Sequence, residues 1–501
     1  MQAWAAEGTL PTLARLMRDG TRAELASIAD RLPDQAWSCM LAGANSAHFA
    51  RYFYVQHDPL TGGVKYMPDS SPGPKYLWEH LSDAGLRAGV IDAPHAPETP
   101  LTNGYQLVWG VHAVQGPRFA YPPSMLTDVD RRFGRHPVGE CDGATTARAK
   151  AALHPRLLAG IRAHGELFRH HAAHSDWDAL LIAFGESHCA GHIYWHDLDR
   201  SHPHHDANAA RDPIEDVYRA IDREIGTIIE AAEAAGPDVR VYIVSAHGMG
   251  PLYHASWNLQ EMLDAWGYGA RAPHALARRE GKLNPWRILR MMVPGTVQYA
   301  IYNALPERMR QELVFRFYSG SRAWDRCRAF AIPNNDSVGA IRINLKGRDP
   351  HGIVEPREYP SICDDLSAAL IELKDSASGR QVVKKITRPH RELRGPYADG
   401  LPDLTAQWDA SFPWSSIDSP RFGTLRVREQ DLRTGSHTAH GFLVARGDGI
   451  ARGAALDGAS IFDLVPTVLD TAGVTIPAAC EGRPLFARAA NIDLERTKAC
   501  Q

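Results

Sequence analysis

Short apolar runs alternate along the chain with longer amphipathic stretches, and this alternation restricts the possible folds more than any other sequence feature. Five runs have the length and composition of buried strands: Ala88–Asp92, Ala179–Phe184, Val239–Ser245, Ala340–Asn344 and Gly441–Ala445. Strands that alternate with helices favour a parallel sheet covered on both sides. We therefore predict an α/β fold with a mostly parallel sheet and helices on both faces.

Residues 255–335 interrupt this alternation with a stretch that is helical in pattern and locally apolar. We expect a helical cap inserted into the core and partly covering the site. The core then comprises residues 1–254 and 336–490, and residues 491–501 form a C-terminal tail. Near the end of the core, Ser460 and Asp463 have the spacing of a capping box, and Gly473 is placed to end the helix that follows.

Composition excludes several classes of protein. With 44% hydrophobic and 23% charged residues among 501, the chain has the composition of a globular protein. Its net charge of −3 argues against a dedicated nucleic-acid or polybasic membrane surface. No apolar run approaches the roughly 18 residues of a membrane span. Seven dispersed cysteines without a CxxC pair indicate reduced thiols, so we expect a cytoplasmic location.

Histidine is abundant, at 24 residues, and is densest between residues 184 and 206. His188 and His192 are four residues apart, so on a helix they share one face and can bind one metal ion. Glu186 and Asp197 are close enough in sequence to act as ligands or to orient them. The alternative is a solvated loop whose histidines only form hydrogen bonds. The buried strand immediately before the cluster favours the metal site.

Two further histidine motifs adjoin predicted strands. His247 follows one strand in a turn whose glycines, Gly248 and Gly250, permit close approach to the backbone. His437 and His440 come just before another strand. Ligands in α/β sheets bind at the strand ends, so we expect these motifs to converge on one site.

Several motifs together resemble the alkaline phosphatase superfamily and, within it, the type I phosphodiesterase/nucleotide pyrophosphatase group. The segment that begins GSHTAHGFLVARG is similar to the closing segment of that superfamily. VYIVSAHGMG resembles the group's SDHG turn, and FGESHCAGH resembles its D-x-x-x-H element. The resemblance covers nearly the whole chain apart from the predicted cap, and it implies an alkaline phosphatase-like core.

The resemblance also implies a site chemistry. The family cleaves phosphate esters with two metal ions, usually zinc, on either side of a threonine or serine nucleophile. Transferred residue by residue, its first metal site falls on His188, His192 and His437, with a histidine in place of the usual aspartate. Three imidazoles still suit zinc and leave one position for water. We therefore expect Zn²⁺, with one ion favoured over two.

The second metal site and the nucleophile of the family are incompletely matched. Ala246 occupies the position of the aspartate in the turn, which leaves His247 as the remaining ligand there. The chain begins after the place where the family's first strand would lie, so we expect a gap or a substitute strand in the sheet. Ser38 and Cys39 lie near the nucleophile position but are displaced from it, and Asp34 is a conceivable substitute.

These observations predict a metal-dependent hydrolase of small phosphodiester- or pyrophosphate-type esters. With no matched nucleophile, water activated at the site would attack directly, and Glu186 would act as general base or orient a ligand. Two alternatives stay open. One is an inactive relative that binds a ligand or a structural ion, and the other is a truncated chain whose intact form completes the site.

Overall fold

The computed structural model describes residues 1–58, 60–110, 118–138, 147–174, 177–205, 212–236, 238–253, 255–269, 309, 324–427 and 433–486. Twelve α-helices and nineteen strands lie in these ranges. Among the helices described, none is both long and apolar enough to cross a lipid bilayer.

The helices, numbered in chain order, are α1 Gln2–Ala6, α2 Pro11–Asp19, α3 Ala36–Ala42, α4 Leu77–Asp83, α5 Ser124–Phe133, α6 Ala147–His174, α7 Glu186–Leu198, α8 Pro213–Ala235, α9 Leu259–Ala265, α10 Tyr359–Ile371, α11 Pro389–Glu392 and α12 Leu464–Thr471. The strands are β1 Thr21–Ala26, β2 Val55–His57, β3 Val64–Tyr66, β4 Ala88–Ile91, β5 Gly104–Val108, β6 Phe119–Tyr121, β7 Ala179–Ile182, β8 Val241–Ser245, β9 Gly248–Pro251, β10 Ala329–Ile332, β11 Val338–Ile343, β12 Lys374–Asp375, β13 Val383–Thr387, β14 Leu404–Trp408, β15 Ser416–Ser419, β16 Gly423–Arg426, β17 Gly435–Thr438, β18 His440–Arg446 and β19 Ala454–Ser460. All five predicted strands are present.

Two four-stranded sheets form the part of the fold that carries the site. One has the order β6-β5-β4-β7, with β5, β4 and β7 parallel to one another. The other has the order β19-β1-β18-β8, in which β18 runs antiparallel to both β1 and β8. Side chains from both sheets pack into one large hydrophobic cluster, which includes Val90, Leu25 and Leu443.

The prediction of a mostly parallel sheet is wrong, because the sheets are mixed. Three of the thirteen pairings between the described strands are parallel, and the other ten are antiparallel. A continuous apolar run is typical of strands in parallel sheets but also occurs in the interior of antiparallel ones, so it does not fix the direction of the neighbouring strand. The direction is set by long-range pairing such as that of β1 with β18.

Two strands that precede the predicted metal ligands lie at the edges of their sheets, and the gap or substitute strand expected in the sheet stays a prediction. Strands β7 and β8 each stand at the end of their sheet, and within the described ranges neither has a neighbour on its outer side. Both are apolar, yet all of their residues are only half-buried. The two strands end at Ile182 and Ser245, immediately before the segments that carry the predicted metal ligands.

The predicted cap lies mostly outside the described residues, as does the predicted tail at 491–501. At the edges of the cap, residues 259–265 form α9 and residues 329–332 form β10. Strand β10 belongs to a separate antiparallel sheet of order β10-β11-β14-β13. This sheet packs with α9 and α10 around its own hydrophobic cluster, which contains Leu263, Ile341 and Leu366.

The C-terminal capping box is present as predicted. The Ser460 hydroxyl and the Asp463 carboxylate cap each other's backbone N–H groups at a short 3₁₀ turn that continues into α12. Gly473 follows in a left-handed conformation, with φ of 73°. Helix α12 thereby buries Val465 and Leu469 in the main hydrophobic cluster.

Candidate functional site

The first turns of helix α7 present His188 and His192 on one face, as their spacing predicts. Their Nε2 atoms lie 3.1 Å apart. The Nδ1–H of His192 donates to the carbonyl oxygen of Gly435 at 2.7 Å. This hydrogen bond fixes the ring of His192 and leaves its Nε2 as the atom with the lone pair.

Strand β17 brings His437 to the same point. Its Nε2 lies 3.0 Å from Nε2 of His188. The strand approaches α7 closely because Gly435 has no side chain: a Cβ there would lie 2.2 Å from the carbonyl oxygen of Gly191. The glycine at position 435 therefore allows the strand to place His437 opposite His188. We call His188, His192 and His437 the three-histidine cluster.

The nitrogen atoms of the three-histidine cluster fit a shared cation. All three ligand atoms lie within 4.8 Å of one another. Two neutral imidazoles cannot direct lone pairs at each other at 3.0 Å without a proton or a metal ion between them. Four ligands about 2.05 Å from a tetrahedral zinc ion are separated by about 3.3 Å, a few tenths of an ångström more than the present distances.

His247 adjoins this cluster, as predicted. Its ring centroid is 4.0 Å from that of His437 and 6.1 Å from that of His188. Its Nδ1–H donates to the carbonyl oxygen of Gly248 at 3.0 Å, which leaves Nε2 with the lone pair. The turn is brought to the cluster by the pairing of β9 with β17, in which Met249 lies opposite His437. A Cβ on Gly248 would lie 2.5 Å from the Thr438 hydroxyl, so this glycine permits close approach of a strand.

Burial keeps the imidazoles of His437 and His247 neutral. Desolvation lowers the pKa of His437 well below its usual value, and the nearby His247 and His192 lower it further. Desolvation also lowers the pKa of His247 to about 4. A neutral imidazole is the form that binds a metal ion.

Glu186 lies apart from the three-histidine cluster. It is only two residues before His188, but a step of two on a helix turns the side chain by about 200°. Its Oε1 accepts from Nδ1 of His164 at 2.7 Å and lies 3.0 Å from Nε2 of His136. Burial acts to raise the pKa of Glu186, but the charge of His164 and these contacts outweigh it, so the pKa is lowered.

The structure buries both predicted nucleophiles. Ser38 and Cys39 lie on α3 and are at most 2% exposed, and Cys39 is part of the main hydrophobic cluster. Desolvation raises the pKa of the Cys39 thiol to about 12, which disfavours the reactive thiolate. Asp34 forms an ion pair with the buried Arg51 at 2.9 Å. The structure thus gives none of the three a means of activation.

Sequence reasoning missed several residues next to the three-histidine cluster. The side-chain amide of Asn335 contacts Nδ1 of His437 at 3.4 Å and the Ser436 hydroxyl at 2.9 Å. His95 lies near enough to lower the pKa of both His247 and His437 by its charge. Neither residue lies in a recognisable spacing pattern. For His95 the available signal is its place just after β4, because ligands in α/β sheets bind at the strand ends.

Comparisons with known proteins agree with the predicted family. The family model described as type I phosphodiesterase/nucleotide pyrophosphatase matches residues 1–420. No match is found among curated proteins. Among solved structures, murine ectonucleotide pyrophosphatase/phosphodiesterase 5 in complex with AMP has a TM-score of 0.48 at 11% identity, with 93% of this chain and 91% of that chain covered. Phosphonoacetate hydrolase from Sinorhizobium meliloti 1021, in complex with phosphonoformate, has a TM-score of 0.44 at 13% identity, with 93% and 90% covered.

Proposed function

Since the chain belongs to the type I phosphodiesterase/nucleotide pyrophosphatase family, we propose that it hydrolyses phosphodiester or pyrophosphate bonds at the three-histidine cluster with one bound zinc ion. The observation that carries this proposal is the convergence of three Nε2 atoms, two pairs of which lie 3.0 and 3.1 Å apart. When bound there, zinc would supply Lewis acidity toward a phosphoryl oxygen and lower the pKa of a water molecule.

The chain's own residues would hold and orient this site. His188, His192 and His437 provide the ligand atoms, and the carbonyl of Gly435 fixes the tautomer of His192. The fixed tautomer of His247 makes its Nε2 an acceptor for a proton or a hydrogen bond beside the cluster. Because Ser38 and Cys39 are buried, water is the proposed nucleophile. Its oxygen bonds to phosphorus while the bond to the leaving oxygen breaks.

The small phosphate ester as substrate and the cytoplasmic location remain predictions from the sequence. Glu186 as general base also remains a prediction. Its contacts with His136 and His164 place it in a different group of side chains.

Metal analysis combined with a substrate screen tests the proposal. We expect the untagged protein to hydrolyse a chromogenic phosphodiester faster than the matching monoester or sulfate ester. Chelation should abolish this activity, and added Zn²⁺ should restore it. His188→Ala should remove the metal of this cluster and the hydrolysis together. His440→Ala is the matched control, because His440 lies on the neighbouring strand with 62% of its side chain exposed.

Two results would refute the proposal. Hydrolysis that survives loss of both His188 and His192 would place the chemistry elsewhere. A folded, zinc-loaded protein that cleaves none of these esters would favour a ligand-binding role instead.

A further inference from the structure

A second group of ligand-type side chains lies on the other side of the start of α7. It consists of His136, His164 and Glu186, which we call the inner cluster. One ligand atom from each residue lies within 4.8 Å of the other two. The three side chains are at most 2% exposed. They come from the segment after α5, from α6 and from α7, so the cluster joins three parts of the chain.

We propose that the inner cluster binds one divalent cation of the zinc class, separate from the ion proposed for the three-histidine cluster. Two imidazole nitrogens and one carboxylate oxygen form a ligand set that favours zinc over magnesium or calcium, which prefer oxygen ligands. The distances of 2.7 and 3.0 Å from Oε1 of Glu186 to the two nitrogens are slightly shorter than the separation of about 3.3 Å around a tetrahedral ion.

Outer contacts orient the ligands in the way that metal sites require. Nε2 of His164 donates to Oδ2 of Asp92 at 2.8 Å, which leaves Nδ1 directed at Glu186. Without an ion both nitrogens carry a proton, and a bound ion would replace the proton on Nδ1. Asp92 is itself held by the backbone N–H groups of Trp109 and Gly110, at 2.6 and 3.0 Å. A carboxylate that accepts from one histidine nitrogen while the other binds metal is a recurrent arrangement at zinc sites.

His136 is oriented similarly. Its Nδ1 lies 2.8 Å from the carbonyl oxygen of Val138. With the proton on Nδ1, His136 donates to that carbonyl and directs the lone pair of Nε2 at the position of an ion. With the proton on Nε2, Nδ1 accepts from the backbone N–H of Val138 at 3.2 Å and Nε2 donates to Oε1 of Glu186 at 3.0 Å. The first tautomer is the one that would bind an ion through Nε2.

The charge of the cluster favours a divalent ion over a proton. Asp92 and Glu186 are both buried carboxylates, and a buried charge needs a partner. Without an ion, the imidazolium of His164 lies between them, and Arg118 acts on Asp92 electrostatically while its guanidinium pairs with Asp130 at 2.7 and 2.8 Å. One imidazolium carries a single positive charge against two carboxylates, whereas a divalent ion that displaced the Nδ1 proton of His164 would balance both.

Two features keep room for an ion. Oε2 of Glu186 is buried and has no hydrogen-bond partner among the described residues, so it can serve as a further ligand atom. Gly160, in the middle of α6, faces the cluster: a Cβ there would lie 2.7 Å from Nε2 of His136 and 3.0 Å from Oε1 of Glu186. The absence of a side chain at residue 160 therefore keeps the space around the ligand atoms open.

Zinc stoichiometry of the full, untagged chain tests this proposal without reference to activity. Metal-stripped protein is dialysed against Zn²⁺ and its metal content measured, and Co²⁺ loading gives a visible spectrum for each site. We expect two equivalents in the unmodified chain. His136→Ala and Gly160→Ala should each lose one equivalent, whereas His188→Ala should lose the other and keep the first. Gly236→Ala is the control for Gly160→Ala, since a Cβ on Gly236 has no heavy atom within 4 Å.

The outcomes separate the two proposals. Either of two results would overturn the inner site. One is a single equivalent of zinc in the unmodified chain that His188→Ala removes. The other is two equivalents of zinc that persist in a folded His136→Ala variant. If His136→Ala does not fold, the count and the Co²⁺ spectra of the unmodified chain decide between one site and two. Two equivalents without ester hydrolysis would refute the proposed function and leave the inner site standing.

Discussion

Gly435→Ala tests how the three-histidine cluster is assembled, because the substitution adds one methyl group and no polar chemistry. Gly435 is not in a left-handed conformation, so its backbone tolerates alanine. The added Cβ would lie 2.2 Å from the Gly191 carbonyl oxygen and 2.8 Å from Cβ of Trp195. Both neighbours belong to α7, and neither can move without moving the helix.

The size of the effect follows from these distances. Carbon and oxygen in ordinary contact are separated by about 3.3 Å or more, so β17 has to move away from α7 by about 1 Å. Zinc–ligand distances tolerate about 0.2 Å. His437 would therefore leave bonding range, and the hydrogen bond from His192 to the Gly435 carbonyl would stretch. We expect zinc affinity to fall at least about 100-fold, equivalent to about 2.8 kcal/mol.

Zinc titration by calorimetry or by competition with a chelating dye measures this change, with Gly236→Ala as the matched glycine control. Hydrolysis should decline in parallel with occupancy and recover in part at high Zn²⁺. The reasoning is refuted if folded Gly435→Ala binds zinc at the three-histidine cluster within about threefold of the unmodified affinity. In that case the glycine contact does not position His437.

Four further predictions concern residues around and beyond the site. Asp92→Asn keeps the size of the side chain and tolerates the left-handed backbone at this position, where φ is 56°. Because the carboxylate that orients His164 is lost, the zinc affinity of the inner cluster should fall about 10- to 100-fold in a dialysis assay. Cys39→Ala should leave kcat unchanged and lower the free energy of unfolding by about 1 kcal/mol, and loss of turnover in a metal-loaded variant would restore Cys39 as nucleophile. Arg348→Ala removes the partner that lies 2.7 Å from the buried Asp403 and 3.0 Å from Asp349, so urea unfolding should reveal a loss of about 3–5 kcal/mol. Burial acts to raise the pKa of both carboxylates, but the hydrogen bonds and positive charges around them outweigh it, so their folded pKa lies below the usual value of 3.8. The stability that these carboxylates add is therefore present above about pH 4 and is lost as the pH falls further. An unfolding series from pH 5 to pH 2 would measure this loss.

The sequence predicted local features better than long-range ones. The five apolar runs are strands, and His188 and His192 share a helix face, because both features follow from the periodicity of short segments. Strand direction depends on partners hundreds of residues apart, such as β1 and β18, and no local pattern records it. His437 enters the predicted site through its place beside a predicted strand, and the resemblance to a known family makes it a metal ligand, since its spacing from α7 carries no signal.

The inner cluster was beyond local sequence reasoning for a related reason. Its residues are scattered over three segments, and each has an ordinary alternative explanation as a single polar residue. The sequence places Glu186 two residues before His188 and so predicts that it shares the site of the neighbouring histidines, but closeness in sequence is not closeness in space. On a helix, residues two positions apart point to nearly opposite sides, so Glu186 and His188 serve different clusters.

The parallel and antiparallel parts of the fold deliver site residues in different ways. Where β4 and β7 are parallel, their carboxyl ends meet at one edge, and Asp92 and Glu186 follow directly from those ends. The rule that ligands bind at the carboxyl ends of parallel strands therefore accounts for part of the inner cluster and for the position of the start of α7. In the other sheet β18 is antiparallel to β8, so it cannot present His437 in that way. His437 instead reaches the cluster through β17, which pairs with β9 just beyond His247. The β9–β17 pair thus delivers His437, and two glycines allow its close contacts, Gly435 against α7 and Gly248 against Thr438.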